Sequence, residues 1–207
     1  MSMPEERVVF YADAQNIYRR ARGAFCNPVD PGTEGQVDHV AIAQLVCSRP
    51  PAGVVRKLAE VRVYTGRPES SKDPATYGAH MRQCAAWERA GAIVIPRTLR
   101  YPFGYPGPGL KPQEKGIDVA LAIDFVMGAV DGRYDVGIIF STDTDLRPAL
   151  EAVLNRYHGT PKVETVAWSG PGVRNRLAVL PPRRNWTHWL TQSDFNAVRD
   201  RTDYNIP

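Results

Sequence analysis

The sequence lacks most of the features that mark extracellular, membrane-spanning or nucleotide-dependent proteins. Its three cysteines, Cys26, Cys47 and Cys84, form no CxxC pair, which argues against a disulfide framework and against a zinc site. No apolar run is long enough to span a bilayer, and the N-terminus has no apolar signal core. A P-loop and a dinucleotide-type glycine fingerprint are also missing, so no nucleotide cofactor is implied. We therefore expect a cytoplasmic protein with reduced thiols.

The chain also has only a small charge excess and no internal repeats. Its 207 residues, 43% of them hydrophobic, suffice for one globular domain with a substantial core. The formal net charge of +4 is a mild bias towards anionic partners such as nucleic acid. After about residue 170 the pattern of strands and helices weakens. We therefore expect a domain at 1–170 and a C-terminal extension at 171–207 that packs on this domain or trails from it, with a surface connection at 181–186 and a loosely ordered tail from Ser193.

Apolar runs and capped helical segments alternate along the first 170 residues. The runs predict five strands, at 7–12, 61–64, 92–95, 135–140 and 163–167. The first run is apolar without interruption, which is typical of a parallel strand that is covered on both faces. Alternating strands and helices predict an α/β fold with a mainly parallel sheet and right-handed crossovers.

Four aspartates are placed where they could form one acidic pocket. Asp13 follows the first predicted strand, Asp143 and Asp145 follow the fourth, and Asp118 opens a helix that is apolar almost all round. Ligands of parallel sheets bind beyond the carboxyl ends of the strands. Clustered carboxylates repel one another unless a hard cation such as Mg²⁺ or Mn²⁺ lies between them, and such a site suits phosphodiester cleavage. Asn16, one helical turn past Asp13, can direct its amide to the same place.

Each of these acids also has a purely structural explanation. Asp13 and Asp145 stand where an aspartate caps a helix, and Asp118 stands where an acid suits the helix dipole. The helix that begins with Asp118, predicted at about 116–130, is apolar enough to predict its burial. Asp124 in the same helix is turned about 120° from Asp118. It therefore either approaches a second ion or pairs with an arginine, and we treat it as an accessory candidate.

Cations and aromatic residues are mixed in the proline- and glycine-rich loop at 98–114, before this helix. Such a loop suits single-stranded nucleic acid, through phosphate contacts and base stacking, although a loop folded over its own aromatics has the same composition. The substrate-binding candidates in and beside the loop are Arg97, Arg100, Tyr101, Lys111 and Lys115. A second mixed group consists of Arg174, Arg176, Arg183, Arg184, Trp186 and Trp189.

Three motifs together resemble the NYN domain, a branch of the PIN-like nuclease fold. They are Asp13-Ala-Gln-Asn16, Lys115-Gly-Ile-Asp118 with Asp124 six positions on, and Ser141-Thr-Asp-Thr-Asp145. The resemblance covers roughly residues 7–167. It implies a three-layer sandwich with a five-stranded parallel sheet and a metal-dependent ribonuclease site.

The resemblance also assigns roles to individual residues. By position, Asp13, Asp118 and Asp143 match the metal-binding acids of the family, while Asn16 and Asp145 match its accessory polar positions. We include Asp145 among the candidate ligands of Mg²⁺ or Mn²⁺. The chain departs from the family at Thr142, where a glycine is usual between the serine and the aspartate.

Three functions are compatible with these residues. The first is a metal-dependent endoribonuclease that acts on single-stranded or loop regions of RNA. The second is an RNA-binding regulatory module of the same fold that does not cut, although a phosphate binder has no use for uncompensated acids. The third is a phosphatase or nucleotidase that uses the same pocket on a small substrate. No membrane partner is expected, and the sequence is compatible with a monomer or a homodimer.

Overall fold

Strands and helices alternate along the chain in the computed structural model, which describes residues 4–206. The strands are β1 (Glu5–Asp13), β2 (Val55–Arg67), β3 (Ile93–Thr98), β4 (Val136–Phe140), β5 (Lys162–Trp168) and β6 (Trp186–Leu190). The helices are α1 (Ala14–Phe25), α2 (His39–Cys47), α3 (Pro74–Arg89), α4 (Ile117–Val130), α5 (Arg147–Arg156) and α6 (Gln192–Val198). Single 3₁₀ turns lie at Gly32–Gly35 and Thr144–Leu146.

The six strands form one sheet in the order β3-β2-β1-β4-β5-β6, and every neighbouring pair is parallel. The chain builds the sheet outward from β1 in one direction and from β4 in the other. The order of the strands therefore reverses between β1 and β4, where Ala12 pairs with Phe140. A crevice at the carboxyl ends of the strands is expected at such a reversal, because the following connections leave on opposite faces.

Both faces of the sheet are covered by helices, as the uninterrupted apolar run of β1 predicts. Val8, Phe10 and Ala12 belong to a core that is completed by α1, α2, α3 and α6. Val9 and Tyr11, which point to the opposite face, belong to a second core with α4 and α5. The expected α/β sandwich of three layers with a parallel sheet is confirmed, and the sheet has one strand more than predicted.

The sixth strand lies in the part of the chain that was expected to be irregular. β6 pairs with β5, and α6 follows it with a capping box formed by Thr191 and Asp194. The reason that sequence patterns missed β6 is its composition: Trp186 is exposed, whereas Thr187 and His188 are buried. Partners on β5 make the burial of these polar side chains acceptable, because the hydroxyls of Thr187 and Thr165 lie 3.0 Å apart.

Helix α4 is only half buried, so the prediction that it is buried all round is wrong. One face of α4 packs on the sheet, and in the described part of the chain the opposite face is exposed. The exposed stripe consists of Val119, Ile123, Met127 and Val130, each 44–62% exposed. Within residues 4–206, no helix is long and apolar enough to cross a membrane.

Candidate active site

The junction between β1 and α1 places Asp13 and Asn16. Asp13 ends β1 and caps α1, since its Oδ1 accepts a hydrogen bond from the backbone N–H of Asn16 at 3.1 Å. Its Oδ2 accepts from the hydroxyl of Ser141 at 3.0 Å, and Ser141 follows β4 directly. The side-chain oxygen of Asn16 accepts from the backbone N–H of Thr142 at 3.0 Å. These bonds tie the carboxyl ends of two neighbouring strands together.

The loop after β4 places Asp143 and Asp145. The N–H of Asp143 donates to the hydroxyl of Ser141 at 3.1 Å, and Oδ1 of Asp143 accepts from the N–H of Asp145 at 2.9 Å. Asp143 therefore caps the 3₁₀ turn that follows, and no side chain caps α5. The interpretation of Asp145 as a helix cap is wrong; its side chain is exposed beside the loop.

Asp13, Asp118 and Asp143 line one cleft of about 880 Å³ at this end of the sheet. Asp118 reaches it because α4 begins after Gly116, whose φ of 76° lies in the left-handed region that favours glycine. A Cβ at Gly116 would also lie only 3.3 Å from Nη2 of Arg97. Amides, cations, two apolar residues and a fourth acid complete the lining of the cleft. They are Gln15, Asn16, Gln113, Arg19, Arg20, Lys111, Leu99, Pro112 and Glu114.

Burial and neighbouring charges raise the pKa of two acids of the cleft, Asp13 and Asp118. Burial raises the pKa of Asp13 to about 6, against the hydrogen bonds from Asn16 and Ser141, and the charges of Asp118 and Asp143 add to the effect. The pKa of Asp118 is raised by burial and by the charge of Asp143. Carboxylates in this situation are a donor set suited to a hard divalent cation. Within residues 4–206, however, no three acid, histidine or cysteine side chains are grouped tightly enough to hold a metal ion as they stand.

Glu114 is a cleft residue that the sequence analysis missed. Its Oε1 accepts from the backbone N–H of Gly66 on β2 at 3.0 Å. Burial raises its pKa to about 7, and the charge of Asp13 adds to this. The sequence describes this loop as cationic and aromatic, and no local signal singles out Glu114, which lies before α4 and outside its helical spacing. Arg19 also lines the cleft and was not among the predicted site residues. It lies one helical turn after Asn16 in α1.

The loop candidates occupy different places around the cleft. Lys111 lines it. Arg97 is exposed and lies against Gly116 at the start of α4. The backbone of Arg100 pairs with that of Gln113, through N–H···O bonds of 2.8 and 2.9 Å, and this closes the loop.

Two further candidates lie away from the acids. The hydroxyl of Tyr101 accepts from the N–H of Glu69 at 3.0 Å, and its ring packs edge-on against Tyr105 at 4.8 Å. This ring is therefore partly used in folding the loop over its own aromatics. Lys115 is exposed and is not among the residues that line the cleft.

Asp124 faces away from the cleft, as its rotation from Asp118 predicts. Its Oδ2 accepts from the hydroxyl of Tyr64 at 2.7 Å and pairs with Nη2 of Arg62 at 3.2 Å. Of the two roles expected for Asp124, a second metal ion or a pair with an arginine, the structure contains the pair with an arginine.

The tertiary structure brings part of the second basic group to the site. Arg174 and Arg176 line a groove of about 630 Å³ that also contains Arg20, Thr142 and Asp143. The acidic cleft is thus bordered by cations from α1, from the loop before α4 and from the segment after β5.

A family model described as NYN domain matches residues 7–167, most of the chain. The chain belongs to the NYN domain family. The family suggested by the three motifs is thereby confirmed, over the same residues, and it is a family of PIN-like nucleases.

Among solved structures, a protein of unknown function from Vibrio parahaemolyticus RIMD 2210633 is similar to this NYN domain. The two share 17% sequence identity and a TM-score of 0.51, over 81% of this chain and 84% of the other. At this identity the similarity shows the fold alone. No curated protein matches the sequence.

The departure at Thr142 is accommodated within this NYN domain by hydrogen bonds. The Thr142 hydroxyl lies 3.2 Å from the side-chain oxygen of Asn16, to which it donates, and accepts from Nε of Arg20 at 2.9 Å. The threonine therefore fixes both a candidate site residue and a cation beside Asp143.

Replacing Glu114 by glutamine is expected to stabilise this NYN domain in EDTA at pH 8 but not at pH 4. The raised pKa means that the folded state holds this proton more tightly than the unfolded chain, so ionised Glu114 lowers stability as the pH rises from about 4.5 through about 7. Glutamine cannot ionise and still accepts from Gly66. Melting temperatures at the two pH values test this, with exposed Glu88→Gln as control; an equal gain at both pH values would contradict it.

Proposed function

We propose that this NYN domain is a metal-dependent endoribonuclease. The observation that supports the proposal best is the convergence of Asp13, Asp118 and Asp143 on one cleft at the strand-order reversal. Burial, with the charges of the neighbouring acids, raises the pKa of Asp13 and of Asp118, and a cation between the carboxylates would relieve the repulsion. Their oxygens are the ligands that Mg²⁺ and Mn²⁺ prefer.

In this proposal Asp13, Asp118 and Asp143 would hold the metal. When bound, the ion would lower the pKa of a water molecule and stabilise charge on the attacked phosphate. The side-chain oxygen of Asn16 is fixed by Thr142, and Asn16 lines the cleft with Asp13, so its amide N–H₂ group could orient a water or a phosphate oxygen there. Asp145 would serve as an outer acceptor.

Cations around the cleft support a polymeric substrate. Arg19, Arg20 and Lys111 line the cleft itself and could contact the phosphates next to the one that is cut. Arg174 and Arg176 extend the basic surface beyond Asp143, in line with a strand that crosses the cleft. A mononucleotide would not reach both groups.

The proposal is tested with labelled single-stranded and structured RNA in Mn²⁺, Mg²⁺ or EDTA. We expect internal cleavage by the wild-type protein with either metal and none in EDTA. Asp143→Asn should reduce the cleavage rate roughly 100-fold or more, because it removes a metal ligand. The variant should remain folded, since asparagine keeps an acceptor for the N–H of Asp145.

Asp131→Asn is the matched control, because Asp131 is an exposed acid at the far end of α4. It should cleave like the wild type. RNA binding that persists in EDTA without cleavage in any metal would instead support the non-cleaving module. Release of phosphate from mononucleotides without RNA cleavage would support the small-substrate phosphatase.

A further inference from the structure

A second pocket adjoins the acidic cleft and has no role in the chemistry proposed above. Its volume is about 470 Å³, within the range of about 300–1,000 Å³ that is usual for ligand sites. Gln15 and Glu114 line both the pocket and the cleft, so the two share a wall. Because it is rich in side-chain amides, from Gln15, Gln36 and Gln83 in particular, we name it the amide pocket.

Two buried ring nitrogens in the wall of the amide pocket have no hydrogen-bond partner within the described part of the chain. They are Nδ1 of His39 and Nε1 of Trp87. Both residues line the pocket, are only 2% and 6% exposed, and pack edge-on with ring centroids 4.8 Å apart. Buried polar atoms are nearly always paired, and leaving them unpaired destabilises the folded state. Both atoms are covered by the pocket wall, so a ligand must displace part of this wall to pair with them, and the pairing would then remove the penalty.

The chemistry of the lining favours a neutral ligand over a phosphate. Among residues 4–206, no lysine or arginine lines the amide pocket, and burial lowers the pKa of His39 to about 4, so its ring is neutral at physiological pH. The amide of Gln83 donates to Oε1 of Gln36 at 3.2 Å, and such amides offer both donors and acceptors. The acidic cleft, by contrast, has cations for phosphates.

We infer that the amide pocket binds an unstacked nucleobase. Single-stranded RNA is recognised by bases that are splayed out, stacked on aromatic rings and hydrogen-bonded along their edges. The shared wall allows the base of one nucleotide to enter the amide pocket while an adjacent phosphate lies in the acidic cleft. The assignment of this base to an RNA strand rests on the proposed function, because a free nucleotide carries the same base.

The test follows the indole N–H signals in ¹⁵N-edited NMR spectra of the full chain in EDTA, where no cleavage is expected. The protein is titrated with the four nucleoside 5′-monophosphates and with single-stranded RNA hexamers of each base. We expect at least one hexamer to shift the Trp87 signal, which is assigned with Trp87→Phe. Trp168 is the internal control, since its Nε1 already donates to the carbonyl of Ile17 at 3.1 Å.

A second variant links the shift to the pocket. Gln83→Ala removes a lining amide and should weaken hexamer binding about tenfold, the equivalent of one hydrogen bond. Gln192→Ala, an exposed amide on α6, should bind the hexamer like the wild type.

The outcomes separate this inference from the nuclease proposal. A saturable Trp87 shift with the hexamer supports base binding even if no cleavage is ever observed. Cleavage without any Trp87 shift overturns base binding and leaves the nuclease intact. A shift with a monophosphate but with no hexamer overturns the RNA strand as the source of the base.

Discussion

Asp13→Asn is expected to abolish cleavage and, at the same time, to stabilise the metal-free protein at pH 8. Burial raises the pKa of Asp13 from 3.8 to about 6, so the folded state holds this proton more tightly than the unfolded chain. Stability should therefore fall as the pH rises from about 4 through about 6. A shift of about two pKa units corresponds to about 3 kcal/mol, which asparagine would restore. It can still accept from the N–H of Asn16.

The measurement is urea unfolding in EDTA at pH 4 and pH 8, repeated at pH 8 with Mn²⁺. The wild type should gain stability from Mn²⁺ and the variant should not, since a ligand that binds only the folded state stabilises it. Glu5→Gln, an exposed acid at the opposite end of β1, should change neither property. If Asp13→Asn is less stable at pH 8 and still responds to Mn²⁺, Asp13 is a helix cap and not a metal ligand.

Arg56→Met is expected to destabilise the protein by about 3–5 kcal/mol without touching the acidic cleft. The Arg56 side chain is 0% exposed, and it donates to Oε2 and Oε1 of Glu164 at 3.0 and 2.6 Å. Its Nε lies 3.5 Å from Oε2 of Glu6. Methionine fills a similar volume but leaves the buried carboxylate of Glu164 without its main cation, while Glu6 keeps its pair with Lys162.

A double variant separates the buried charge from the loss of packing. Burial opposes ionisation of Glu164, but hydrogen bonds from His188 and Arg56 lower its pKa. Removing Arg56 alone leaves Glu164 ionised and poorly paired, so adding Glu164→Gln should recover part of the lost stability. Urea unfolding at pH 7 of both singles and the double gives the coupling. Strictly additive losses would contradict a charge-based role.

The strands, most helices and the order of the layers follow from the sequence because their signals are local. The uninterrupted apolar run of β1, the Asp73-Pro74 start of α3 and the glycine at position 116 each specify structure within a few residues. β6 has no such signal. The burial of Thr187 and His188 is explained only by their hydrogen-bond partners on β5, Thr165 and Glu164.

The candidate site also contains residues that the sequence indicates and residues that only the fold reveals. Asp13, Asp118 and Asp143 could be named from the sequence because each directly follows a strand or opens a helix. Glu114 could not, because it depends on a hydrogen bond to Gly66, 48 positions away. The sequence leaves the role of Asp124 open between a second ion and an arginine, and the fold places it next to Arg62.

The sequence by itself determined the family, the parallel α/β sheet, two acids after strands and one at a helix start, since periodicity, caps and short motifs act over neighbouring residues. Tertiary structure alone decided what surrounds these acids. It brought Arg174 and Arg176 to the groove beside the cleft, buried Arg56 against Glu164, and placed His39 and Trp87 together in the wall of one pocket. These arrangements join distant segments, and only packing of the whole sheet with its helices fixes their distances.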